Sequence, residues 1–225
     1  MRLVFRPALC SMVAVTAGLA LGGCAHEIGF QDAYLPQEPP AYLAQGKLLI
    51  VMPEEQRTFV YEGPPSSRTG DYTTLIVPVG NIVQEIARHV FGDCFAYGVE
   101  VADSREGRDD FVLAIEGDMQ KFIYSYTKVI DAGFSSERAD VWIVPEVEVA
   151  FAVKGYNRGG EMVLDRVYDS GVTVGEEYLT TSKPAERINR VLHTTVHDLM
   201  VELVADIRPL LMVECEVTEL ATTWP

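Results

Sequence analysis

Three sets of residues have types and spacings that could do chemistry. His193 and His197 stand four apart in a stretch of helical periodicity, so both rings project from one side. Pairs of this kind can ligate zinc. The zinc-protease pattern needs Glu directly after the first His, and Thr194 stands there instead. No neighbouring Cys or His completes a ligand set, and on a helical wheel both rings fall at the polar border of the apolar stripe, near Glu186 and Arg190. A solvated helix flank is the expectation, and no metal is assigned. The second set is the carboxylates Glu146, Glu148, Asp165, Asp169, Glu176 and Glu177. Paired carboxylates can perform acid–base or glycosidase chemistry. Glu146 and Glu148, however, fall on the outward phase of a strand, which predicts a solvated sheet face. The third set is Cys94 and Cys215, which in an oxidising compartment can pair or can stand as two separate buried thiols. Spacing does not fix connectivity. The sequence holds no phosphate-cradling glycine loop, no nucleophile elbow and no Cys/His nucleophile pattern. The expectation is therefore a protein that is not an enzyme and holds no cofactor.

The remaining cysteines sit in the first two dozen residues. Arg2 and Arg6, with no acid, precede an apolar stretch from Ala8 to Ala20. That is the basic and apolar layout of a secretory leader, too short and too poorly flanked for a membrane span. It ends Leu21-Gly22-Gly23-Cys24. This run resembles the lipobox of bacterial lipoproteins, an apolar residue and two small residues before a Cys. The resemblance implies that residues 1–23 are removed and that Cys24 becomes a lipidated N-terminus. Several acyl chains, at about 0.8 kcal/mol per buried CH₂, hold such a protein firmly in a membrane. In that family Asp after the Cys tends to retain the protein in the inner membrane. Here Ala25 follows, which implies an outer-membrane anchor facing the periplasm.

Charge narrows the partners. The 225 residues carry 18 Lys+Arg against 33 Asp+Glu, a formal net charge of −15. Loss of the leader with Arg2 and Arg6 leaves 16 against 33, or −17. A polyanion needs a basic face, so nucleic acid is excluded as a partner, as is electrostatic docking on anionic lipid. Hydrophobic residues make up 48% of the chain, enough for a real core.

Residues 24–46 read as the lipidated end and a tether, with Pro36, Pro39 and Pro40; the alternative is that Ile28, Phe30, Tyr34 and Leu35 pack back on the domain. A single domain over 47–225 then follows. Strands are expected at 47–52, 58–61 and 73–77, with a Gly/Pro/Ser-rich loop at 62–71 that serves as a partner-binding loop or a floppy connection. Ile82, Val83, Ile86, Ala87, Val90 and Phe91 predict a helix over 80–92, capped by Asn81 and stopped by Gly92. A strand over 95–101 and a charged loop follow. Three longer strands are expected at 111–124, 140–155 and 161–172, the last two joined by the turn Asn157-Arg158-Gly159-Gly160. A long helix is expected at 183–208, capped by Ser182 and stopped by Pro209, and the tail from Leu211 to Val217 alternates like a last strand.

This order predicts an α+β fold, a mostly antiparallel sheet with two main helices on one face. Phe122, Tyr124, Tyr126 and Trp142 then either build the core or line an open sheet face able to bind a partner or lipid. Lipobox, tether and compact α+β domain together resemble, in architecture only, small outer-membrane auxiliary lipoproteins. Examples are the YajG type and the lipoprotein that partners the lipopolysaccharide translocon. That resemblance implies a non-enzymatic envelope lipoprotein that helps assemble, stabilise or load an envelope complex through a protein partner. A lipid or glycolipid carrier using the open sheet face is the second reading, and a periplasmic hydrolase the third.

Overall fold

In a computed structural model, residues 24–36, 43–69, 73–92, 94–130, 141–179, 184–214 and 217–218 are described. The leader, Ser182 and Cys215 lie outside them. In chain order the elements are β1 (Cys24–Glu27), a 3-10 turn (Asp32–Tyr34), β2 (Leu43–Ala44), β3 (Leu48–Val51), α1 (Glu54–Arg57), β4 (Tyr61–Gly63), β5 (Thr73–Val77), α2 (Val79–Gly92), β6 (Val99–Ala102), β7 (Leu113–Ile130), β8 (Val141–Asn157), β9 (Met162–Asp169), β10 (Thr173–Val174), β11 (Tyr178–Leu179), α3 (Pro184–Glu214) and β12 (Val217–Thr218).

The chain is α+β. Its main sheet is built on β8, which runs antiparallel to β7 along one edge and to β9, β10 and β11 in succession along the other. β3 joins the first four residues of β7 in parallel, Leu48 to Val51 beside Leu113 to Glu116, and carries β6 on its far side. Helices α2 and α3 cover one face. Ile82, Ile86 and Phe91 of α2 and Ile188, Leu192, Val196, Leu203 and Ile207 of α3 meet Leu48, Ile50, Val149 and Phe151 of the sheet in one core. A smaller cluster of Leu49, Val51, Ala102, Phe111 and Ala114 fills the opposite face beneath β3. All four residues of β3 are buried, which is why it reads as an unbroken apolar run and not as an alternation. A second, three-stranded sheet has the order β1-β5-β4, with β1 parallel to β5.

The turn between β8 and β9 forms as its residues dictate. Asn157 and Glu161 exchange a backbone bond of 2.9 Å, and Gly160 supplies the φ of +81° that closes it.

Five expectations are corrected. The tether is the first. Of its two readings the packed one holds for residues 24–36, with β1 in the small sheet and Ile28 and Leu35 buried. Residues 37–42 lie outside the described chain. Second, Pro209 does not stop α3, which continues to Glu214. Buried Ile207 and Leu211 clamp the helix on either side, and this packing outweighs a local cost of about 3 kcal/mol. Third, the strand expected at 58–61 is displaced by the single-turn helix α1 and starts only at Tyr61. Fourth, Asn81 lies inside α2 and not at its cap. Fifth, the strand expected over 95–101 is confined to Val99–Ala102, after Gly98 turns the chain at φ +75°.

Gly80 explains how α1 is held. A Cβ built on it would stand 2.0 Å from the Gln56 carbonyl oxygen and 2.6 Å from that of Arg57, so the backbone of α1 rests directly on α2. In an exposed helix Gly→Ala stabilises. Here Gly80→Ala is expected to destabilise by about 1–3 kcal/mol in urea unfolding, because the backbone of α1 must move.

Candidate functional site

The extra residue in β7 shapes the site. Before residue 120 the odd positions Leu113, Ile115, Gly117 and Met119 face the helices; after it the even positions Phe122, Tyr124 and Tyr126 do. A register shift against β8 between Met119 and Lys121 marks the change. The opposite edge of β7 is paired with β3 only as far as Glu116. It is met again at Tyr124, whose carbonyl accepts the Ser66 N–H at 2.9 Å, while the Tyr126 N–H donates to Ser67 Oγ at 2.9 Å. Between these points no strand among the described residues pairs with that edge.

Behind the gap, between the sheet and helices α1, α2 and α3, lies a cavity of about 390 Å³. Its inner wall is apolar: Ile50, Ile115, Phe151, Phe91, Leu199 and Leu203, all buried. Phe59, 42% exposed, flanks the opening with Gln56 and Gln84. Tyr168 closes the back. Its hydroxyl donates to Asp206 at 2.8 Å, and Arg166 pairs with both Asp206 and Glu202, which ties β9 to α3. Burial, reinforced by Asp206, pushes the Tyr168 phenol well above its ordinary value, so the ring stays neutral.

The loop after β4 is a clamp. Its Ser66 and Ser67 hold β7, and the Tyr124 hydroxyl donates to the Gly63 carbonyl at 2.7 Å. Tyr124 and Tyr126 are therefore core residues, and burial raises both phenols strongly. Phe122 lies on this inner side too, so the open aromatic face is not formed. Trp142, one residue out of phase with buried Ile143, lies on the outer face, where Glu148 pairs with Lys121 and Glu146 accepts from the Ser125 and Thr127 hydroxyls at 2.6 and 2.8 Å. The outward phase of Glu146 and Glu148 is as expected.

The histidines do not lie on a solvated flank. His193 is fully buried and His197 is 6% exposed. The segment after β1 buries His193 by covering a second side of α3. Phe30 lies tilted against the His193 ring and Tyr34 meets it edge to face, with centroids 5.6 and 5.5 Å away. The Gln31 N–H donates to His193 Nε2 at 2.9 Å, and Nδ1 lies 2.8 Å from the Asn189 carbonyl. A carbonyl only accepts and an N–H only donates, so the ring is neutral with its proton on Nδ1. Both nitrogens are thus engaged by protein groups. His197 Nδ1 lies 3.3 Å from Asp198. Among the described residues no group of three or more His, Cys, Asp or Glu stands together as a metal site. The other carboxylates are scattered: Asp169 accepts from the Gly171 N–H at 2.8 Å, and Glu176 pairs with Arg187 at 3.3 Å.

Cys24 opens β1, its backbone beside Thr73. Cys94 is buried after α2, its thiol 3.4 Å from the Val90 carbonyl; Cys215, with which it could pair, is outside the described residues.

No protein-family model and no curated protein sequence matches the chain. Several solved structures align with it at low identity and low TM-score. A Xanthomonas campestris protein of the DUF330 family is 12% identical, with 81% of this chain and 94% of that one covered and a TM-score of 0.43. Rare lipoprotein B from Shewanella oneidensis is 11% identical, covering 74% and 98%, with a TM-score of 0.35. A minor lipoprotein from Acinetobacter baumannii is 10% identical, covering 77% and 98%, with a TM-score of 0.31.

The cavity was not legible as a site. The signal that could have found it is Gly117, a glycine on the inward phase of a long strand between Ile115 and Met119.

Burial lowers the affinity of His193 for a proton below its ordinary value of 6.5. The unfolded chain then binds that proton more readily, so stability is fully present above pH 6.5 and is lost as pH falls below it. The melting temperature is expected to drop between pH 7 and 5, and His193→Gln to flatten the drop. An identical slope in the variant counts against the assignment.

Proposed function

We propose that this chain is a bacterial envelope lipoprotein, anchored through Cys24 in the outer membrane and facing the periplasm. It acts by binding, in support of an envelope complex, and not by catalysis. The observation that carries the reading is the run Leu21-Gly22-Gly23-Cys24 after a basic, then apolar, leader.

The fold supports this in one respect. The first strand of the body begins at Cys24 itself, so the residue proposed to carry lipid is already hydrogen-bonded into the small sheet. No spacer stands between anchor and domain. The domain therefore works at the bilayer surface, and the partner it serves must be within reach there. The acidic surface agrees with attachment by lipid, since electrostatic attraction to anionic headgroups would need basic residues.

Labelled palmitate is expected to enter the wild-type protein and to be absent from Cys24→Ala, which should also leave the membrane fraction. Full incorporation into Cys24→Ala would sink the anchor assignment. Crosslinking of intact cells should then recover one envelope protein in fixed proportion to the wild type, and recovery of none would remove the role in a complex.

A further inference from the structure

We infer that the cavity behind the β7 gap binds a single-chain amphiphile, its acyl chain among the buried apolar side chains and an uncharged or zwitterionic head at the rim. This goes beyond the anchored role proposed above and does not depend on it.

The first ground is Gly117. It lies on the same inward phase as Ile115 and Met119, and a Cβ built on it meets no atom within 4 Å. Protein interiors are close-packed, so an inward position with open space in front of it marks a volume that the protein does not fill itself. Nothing in the backbone demands glycine there, since Gly117 is not among the glycines with positive φ. The second ground is size and lining. A cavity of about 390 Å³ with walls from Ile50, Ile115, Phe91, Phe151 and Leu199 falls in the ordinary range for small-molecule sites and suits an alkyl chain.

The third ground is the rim. Glu55 borders the opening with the amides of Gln56 and Gln84, and Asp118 stands beside it on the outward phase of β7, its carboxylate 2.6 Å from the Gln120 amide. Among the described residues Lys121 puts an ammonium at the rim, and it is drawn outward to Glu148. A carboxylate head would meet like charges. An ester, hydroxyl or zwitterionic head would find amide donors and acceptors, with the unpaired edge of β7 beside them.

The test uses the chain from residue 24 onward with Cys24→Ala, so that no lipid of its own competes. The uncharged dye 1-N-phenylnaphthylamine is titrated first, then displaced with monoacylglycerols of eight, ten and twelve carbons and with dodecanoate. One dye per chain is expected. Displacement should tighten about fourfold per added methylene until the cavity is full. Dodecanoate should be at least tenfold weaker than the twelve-carbon monoacylglycerol. Gly117→Phe should weaken dye binding at least tenfold without lowering the melting temperature, and Ile123→Ala on the outer face should change nothing. If Gly117→Phe does not fold, Gly117→Leu serves, with a smaller loss in the same direction. Absence of saturable binding in the wild type, or unaltered binding in a folded Gly117 variant, overturns the site. Equal binding of dodecanoate overturns the assignment of the head.

Discussion

Two strands as long as β7 and β8 twist as they pair, and a single uninterrupted register would carry one fixed set of side chains along the inner face. The extra residue at 120 breaks that constraint. Below it, Leu113 and Ile115 reach the core from odd positions. Above it, Tyr124 and Tyr126 do so from even ones. Without the bulge either the lower aliphatic set or the upper aromatic set would face water. On its other edge β7 loses its partner where β3 ends at Val51, so among the described residues no strand pairs with it between Glu116 and the Ser66–Ser67 clamp, and the cavity lies behind that stretch.

The second organising element is the segment after β1. It contributes Ile28 and Leu35 to the core, and it converts what would be a polar flank of α3 into an interface. His193 is the hinge of that interface. Its Nε2 accepts a hydrogen bond from the Gln31 N–H and its Nδ1–H donates one to the Asn189 carbonyl of its own helix, while the Asn189 side-chain amide donates to the Gly29 carbonyl at 2.8 Å. Burying such groups is tolerable because most are matched to each other; the exception is the Asn189 amide oxygen, which is buried without a partner among the described residues. The match also specifies where the segment sits, since an apolar contact alone would allow it to slide.

What could be read from the sequence was local. The stripes of α2 and α3, the alternation of β8 and the Asn157–Gly160 turn are patterns carried by neighbouring residues, and each forms nearly as expected. What could not be read was imposed from afar. His193 looks like a border residue until Phe30 and Tyr34 are laid across it. Pro209 looks like a stop until Ile207 and Leu211 are fixed by the sheet. The stretch 173–179 carries no strand pattern of its own, because its strands are two residues each, yet β10 and β11 lie along β8 at registers offset by one from each other. The cavity is the extreme case, since it is defined by a side chain that is missing.

The parallel pairing of β1 with β5 has a mechanical meaning. Cys24 lies opposite Thr73 and Glu27 opposite Ile76, so the two strands point the same way. A pull applied at Cys24 along the strand would load the four residues of β1 together, in shear. A pull across the strand would open them one at a time from the end. A domain held by this joint resists being drawn away along one direction and peels along another. Which of the two a membrane anchor applies is set by how the small sheet is inclined to the surface.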